Sequence, residues 1–357
     1  MDFRRKAILA GAALCGGVAF FLSPATSRAA SSVLCLASAD PVYSACSPNR
    51  EFVRHSNDTS GETVTTASDP AVTDTSSADT SASEAAPAVF GTSGVERVNP
   101  RHGWGLWSSV TTNWVSDGQA GANFRGPLTD ALFGVDRLVL PNLIAGLAVG
   151  YKRADLDTEY NQGTYTGSGG TVAPYATYII DRHFGVSGQL GYAGIEYDES
   201  HGGVSGSTYG DRWFGKLSFH ARTRIDDWDL HASTSFSYVT ETQGSYTESN
   251  GNFVPKNVVY DGTNSLRVSA GYRLPESWGV VTPFAKVRLL YDSIRSGAPV
   301  INTIGATATV GDFGAEFGCG ANIAVGRDLT LTAEANTLQF MSNFQSYGLR
   351  VGAAMRF

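Results

Sequence analysis

The side chains best suited to chemistry lie between positions 212 and 233. Asp229, His231, Ser233 and His220 supply the types needed for an orienting carboxylate, a base and a nucleophile. Such a set is recognised by geometry, however, and closeness in sequence does not establish it. The spacing instead suggests a polar surface. Arg212, Lys216, His220, Arg222 and Arg224 share one parity, and Asp227, Asp229, His231 and Ser233 share one parity in the next segment. In strands, residues two apart point to the same side, so two charged faces of opposite sign are brought together if these segments pair. Lys286, Arg288, Asp292, Glu316, Glu334 and Arg350 extend the same polar face into later segments. Ser and His are ordinary on such faces, so no catalytic residue is assigned. No metal ligand set is expected, because the six His lack paired spacing and the four Cys are scattered. Gly167-Ser-Gly-Gly170 lacks the strand-turn-helix setting of a phosphate loop, and no cofactor is expected.

The elements that must carry these residues are strands. From Trp228 to Tyr238 the apolar or ring-bearing side chains fall at 228, 230, 232, 236 and 238, while Asp229, His231, Ser233, Ser235 and Ser237 alternate with them. The same period of two runs through 312–323 and 347–357. Twelve strands are predicted, at about 104–114, 129–140, 143–155, 169–180, 183–197, 208–224, 227–240, 263–273, 280–293, 310–323, 328–340 and 345–357. Each can supply the 9–11 residues of a tilted bilayer-crossing strand. Short turns (141–142, 181–182, 225–227, 274–279 and 325–327) alternate with longer loops at 115–128, 156–168, 198–207, 241–262 and 294–309. Rings near strand ends, among them Trp104, Trp114, Tyr151, Trp213, Trp228, Tyr238, Tyr291 and Phe357, suit interfacial aromatic girdles.

Composition supports this architecture and removes others. Charged residues are 17%, aromatic residues 11% and glycines 41 of 357. Mean hydropathy is -0.10, too low for a bundle of apolar helices. A transmembrane barrel keeps near-soluble hydropathy because only every second side chain meets lipid. The formal charge of -7 contains no basic stripe, so no nucleic-acid partner is expected.

The chain divides into three regions. Residues 1–29 read as a signal peptide, with Arg4, Arg5 and Lys6 before an apolar run and a small-residue site ending at Ala29. Residues 30–98 form a short Ser/Thr/Ala/Asp-rich extension. Between Ser56 and Val89 it contains no Lys, Arg, Phe, Trp, Tyr, Leu or Ile. Burial there cannot offset an ordering cost of about 1–2 kcal/mol per residue, so this segment is expected to be disordered. Cys35 and Cys46 either close a small disulfide loop or remain thiols. Residues 99–357 form the barrel.

The run Phe133-Gly-Val-Asp-Arg-Leu-Val-Leu-Pro-Asn-Leu-Ile-Ala-Gly-Leu-Ala-Val-Gly-Tyr-Lys-Arg-Ala-Asp155 resembles the second hairpin of the autotransporter β-domain, the translocator of type V secretion. The resemblance covers residues 104–357. Gly352, Met355 and the terminal Phe357 look like that family's C-terminal assembly signal. The fold expected is all-β: a 12-stranded antiparallel transmembrane β-barrel preceded by a disordered N-terminal segment. Arg212, Lys216, His220, Arg222, Asp229, His231, Lys286, Arg288, Glu316, Glu334 and Arg350 would form a charge cluster in its lumen.

The resemblance also implies partners: outer-membrane lipid, the export translocon and the barrel assembly machinery. It implies an outer-membrane location, with external loops and the extension at the cell surface. Typical members carry much longer passengers than residues 30–98. The function expected is therefore anchoring and display of the chain's own short N-terminal segment, by a barrel that is not an enzyme. A stand-alone pore or loop-based adhesin is the alternative, and an outer-membrane hydrolase a remote one.

Overall fold

The computed structural model describes residues 103–118, 123–296, 313–326, 328–341 and 344–357. The expected signal peptide at 1–29, the expected extension at 30–98 and most of the expected loop at 294–309 lie outside them.

The strands are β1 Trp104–Asp117, β2 Phe124–Leu140, β3 Leu143–Thr158, β4 Gly163–Ile179, β5 Phe184–His201, β6 Val204–Ile225, β7 Trp228–Gln243, β8 Tyr246–Thr247, β9 Phe253–Val254, β10 Asn257–Tyr272, β11 Leu274–Glu276, β12 Gly279–Ser296, β13 Phe313–Val325, β14 Leu329–Met341 and β15 Phe344–Arg356. Twelve of these are long and pair antiparallel with their neighbours, while β11 continues β10 along β12. Pairing of β1 with β15 closes the ring, from Gly105 opposite Arg356 to Asp117 opposite Phe344. At the rim, Trp104 N donates to Phe357 O (3.3 Å) and Phe357 N to Trp104 O (3.2 Å). Closure gives both edges of every long strand a partner, as a lipid-immersed backbone requires.

The expected alternation holds on both faces. Outward side chains such as Phe133, Leu147, Val149, Leu190, Leu217, Val268 and Val351 are exposed, and only lipid can cover so continuous an apolar surface. The eight girdle rings named above all point outward. Trp104 and Trp114 are ten residues apart on β1, or about 34 Å along the strand. A tilt of 35–45° reduces that to about 24–28 Å, close to the apolar band of an outer-membrane barrel. Beyond the upper ring of aromatics the outward positions turn polar, with Arg153, Asp155 and Asp157 on β3 and Glu196, Asp198 and Ser200 on β5.

Two loop expectations are corrected by this projection. Residues 156–168 and 198–207 are mostly strand, since β3 runs to Thr158, β4 begins at Gly163, and β5 and β6 meet at His201 opposite Val204. Gly202 (φ 51°) and Gly203 (φ 80°) make the two-residue link, and positive φ at both positions fits the right-handed twist of the flanking strands. The polar stretch read as loop is therefore strand that has left the membrane. The loop expected at 115–128 is likewise shortened, with β1 reaching Asp117 and β2 starting at Phe124. The loop expected at 241–262 is shortened to 244–256, since β7 runs to Gln243 and β10 starts at Asn257. It folds back through the β8–β9 hairpin onto the end of β6, with Gly244 N donating to Tyr209 O and Ser249 N to Ser205 O, both at 2.8 Å.

At the other rim the turns are short. Asp181 Oδ1 accepts from His183 N (2.6 Å) and Phe184 N (2.8 Å), which holds its carboxyl below the ordinary value of 3.8.

Candidate functional site

The strands place the charged residues on the inner wall. On β6 the buried positions Arg212, Lys216, Ser218 and His220 share one parity, and on β7 Ser233, Ser235, Ser237 and Glu241 do. Register then brings Arg212 opposite Glu241, Lys216 opposite Ser237, His220 opposite Ser233, Arg222 opposite His231 and Arg224 opposite Asp229. Arg212 Nε donates to Glu241 Oε2 (2.6 Å), and Tyr197 Oη donates to Glu241 Oε1 (2.6 Å). Gln243 Nε2 donates to the same Oε1 (2.9 Å). Nearer the termini, Arg224 pairs with Asp229 at 2.8 Å, and Arg273 approaches the same carboxylate at 3.9 Å.

A second network crosses β12, β13 and β14. Lys286 Nζ lies 2.8 Å from Glu316 Oε1 and also pairs with Glu334, while Arg288 pairs with Glu316. Glu334 faces Arg350 across β14 and β15. The eleven residues expected in the lumen cluster share the inward parity of their strands, and among them Arg212, Asp229, Lys286, Arg288, Glu316 and Glu334 are ion-paired across strands. In these ion pairs the desolvation of each charge is offset by its partner, which is the condition for keeping ions in a confined wall.

The hydrolytic set does not assemble. Asp229 is occupied by two arginines and is not oriented toward an imidazole. Ser187 Oγ is instead 2.8 Å from His220 Nε2, and the His220 and His231 rings are 6.0 Å apart. No group of three or more potential metal ligands occurs among the described residues.

Sequence reasoning missed four parts of the interior. Glu241, the partner of Arg212, continues the parity of Asp229 and His231 and would have been found had β7 been extended past 240. Arg267 on β10 lies in register with Ser233 on one side and Arg288 on the other. Lys152 and Asp130 pair at 3.2 Å between β3 and β2.

The fourth part is apolar. Val115, Phe124, Leu128, Leu156, Tyr165, Ile195, Tyr197, Leu290, Leu338, Met341 and Phe344 form one buried inward cluster near the rim remote from the termini. Closer to the termini, Trp107 Nε1 donates to Tyr175 Oη (2.7 Å), which donates to Asp136 Oδ2 (3.1 Å). The Trp107 ring lies on Gly134, where a Cβ would stand 2.2 Å from Cε2, so only glycine admits it.

Of the proposed C-terminal signal, Gly352 lies within β15 opposite Ser109 of β1, while Met355 and Phe357 are exposed on the outer face.

Comparison with known proteins agrees with this architecture. No curated protein sequence matches the chain significantly. Among solved structures, the barrel is similar to the translocator domain of the autotransporter NalP from Neisseria meningitidis (TM-score 0.61, 13% identity, 71% of this chain and 89% of that one). It is similar to the β-domain of the Bordetella autotransporter BrkA (TM-score 0.61, 17% identity, 71% and 100%). It also resembles the transport unit of the autotransporter AIDA-I from Escherichia coli (TM-score 0.54, 12% identity, 73% and 93%). At these identities the likeness concerns the fold. The family model of the autotransporter beta-domain matches residues 106–336, which is more than half of the chain. With its closed twelve-strand ring and polar lumen, the chain belongs to the autotransporter beta-domain family, the outer-membrane barrels of type V secretion.

Proposed function

We propose that the barrel anchors and displays the chain's own N-terminal extension at the cell surface. In this reading residues 1–29 direct export, the assembly machinery inserts the barrel by way of Gly352, Met355 and Phe357, and residues 30–98 pass through the lumen. The observation that carries it is the position of the ends. Trp104 and Phe357 are bonded to one another at one rim, so the extension enters on the side where the chain finishes. An extension of 69 residues reaches up to roughly 230 Å when extended, several times the height of the barrel, so length does not limit its exit. Its charge supports passage: residues 56–89 carry six acidic and no basic side chains, and the inner wall of β6, β10 and β12 presents Lys216, Arg222, Arg267, Lys286 and Arg288.

An epitope tag beside Ser60 tests this. Intact cells should bind the tag antibody and lose the tag to added protease, with the barrel left folded. A tag that stays protected while the barrel is assembled overturns display.

The alternative of loop-based binding is favoured by one observation, the β8–β9 hairpin folded over the mouth.

A further inference from the structure

At the rim where Trp104 and Phe357 meet, the closing strand β15 reaches across β1 to β2. Gly105 of β1 lies in register with Arg356 of β15 on one side and with Asp136 of β2 on the other. All three positions face the lumen, so Arg356 and Asp136 meet over Gly105. Arg356 Nη2 stands 3.9 Å from Asp136 Oδ1. A Cβ on residue 105 would come within 2.6 Å of that same Oδ1, so the glycine keeps the approach open.

The carboxylate is otherwise only half supplied. Asp136 is 2% exposed, its Oδ2 accepts from Tyr175 Oη, and its Oδ1 is buried with no hydrogen-bond partner. Arg356 is the one cation at ion-pair distance from it among the described residues. The other buried carboxylate of β2, Asp130, has Lys152 of the adjacent strand at 3.2 Å, whatever the closing strand does. A buried carboxylate whose counter-charge is carried by the closing strand loses most when that strand is misplaced.

Displacement of β15 along β1 removes the counter-charge in either direction. A slip of one residue turns Arg356 to the lipid face. A slip of two in one sense sets it opposite Trp107, whose ring covers Gly134 of β2, and no carboxylate is there. A slip of two in the other sense sets it opposite Gly103, beside Leu138. The backbone ladder does not distinguish these pairings, because its hydrogen bonds repeat every two residues. Pairing within the β14–β15 hairpin, such as Glu334 opposite Arg350, is also kept through such a slip. Asn113 fitted over Gly348 marks the register sterically farther along the seam, and the ion pair marks it by charge.

We propose that Asp136 and Arg356 form a register lock for barrel closure. The carboxylate, set in place by the β1–β2 pairing and by Tyr175, favours the one alignment of the closing strand that brings Arg356 over Gly105. The lock does not depend on what the barrel displays, and closure of the purified chain in micelles tests it.

Cysteine pairs report the alignment. In the full chain with its four native cysteines replaced by serine, Val110→Cys with Val351→Cys can form a disulfide in the native pairing. Val110→Cys with Leu349→Cys, or with Ala353→Cys, bonds only after a slip of two, because diagonal neighbours at about 7–8 Å are too far apart. Each pair is oxidised during refolding, and heat-modifiability on gels shows which molecules have closed. The parent should give mainly the native cross-link. Arg356→Gln and Asp136→Asn should each raise the slipped share about threefold or more, and the double variant should raise it no further than either alone, since one pair has been removed in all three. If Arg356→Gln does not close, the double variant, which strands no charge, should close with the raised slipped share. The proposal is overturned if either single variant closes in the parent's alignment, if the two effects add in the double variant, or if the double variant does not close.

Discussion

The inner wall of the barrel is filled by different means on its two sides. From β1 to β5 it is packed mostly with rings and aliphatic side chains laid on neighbouring strands, as Trp107 lies on Gly134. From β6 to β14 the ion pairs are concentrated, Arg212 with Glu241 and Lys286 and Arg288 with Glu316, beside the apolar Leu290, Leu338 and Met341 that complete the cluster at the remote rim. The two sides differ in how a defect is felt, because an apolar side chain removed leaves a void, whereas a charge removed leaves its partner desolvated and unpaired.

The largest effect is therefore expected on the charged side. Arg212→Met strands Glu241 in the wall and should destabilise the barrel by about 3–5 kcal/mol in urea unfolding from micelles. The double variant Arg212→Met with Glu241→Leu should recover much of that loss, and a loss in the double variant as large as in the single one would contradict the argument. On the apolar side Leu128→Ala, at a fully buried position, should cost about 3 kcal/mol with no rescue by any charge change. Gly134→Ala tests packing by overfilling. Its Cβ meets the Trp107 ring, and a loss of about 2 kcal/mol is expected, reduced when Trp107 is replaced by Leu.

The smallest effect lies outside both sides, in the turn at Asp181. Its carboxyl is held below its ordinary value by two backbone donors, so its contribution is present above about pH 4 and disappears as pH falls through the lowered value. Asp181→Asn should remove that part of the acid sensitivity and leave stability at neutral pH nearly unchanged, as read from the folded fraction on gels between pH 2 and 7.

The same contrast explains what could be read from the sequence. The charged side was legible because a run such as Asp229, His231 and Ser233 between Leu230 and Ala232 marks one face as polar. The apolar side was not, because Leu132 and Phe133 are both hydrophobic and periodicity cannot say which of them faces lipid. Leu132 is buried inside and Phe133 is half exposed outside. Strand number was legible from alternation and turn spacing. Strand ends were not, because Thr164, Thr166, Ser205 and Ser207 are as compatible with a loop as with a strand standing in water. The pairing of Asp136 with Arg356 could not have been foreseen either, since the two come from β2 and β15 and are brought together only by the closing register.

The seam between β1 and β15 bears on how the molecule comes into being. It joins residues roughly 250 positions apart, so its closure entropy is about 5 kcal/mol by the logarithmic rule, the largest of any strand pair in the ring. Every other neighbouring pair can form as a local hairpin or short excursion while the chain is incomplete. Until the last thirteen-residue strand arrives, β1 and β14 remain two open edges, each a template for an unrelated chain. A barrel of this connectivity thus keeps two templates for aggregation open until the β1–β15 seam forms, and loses both in that one step.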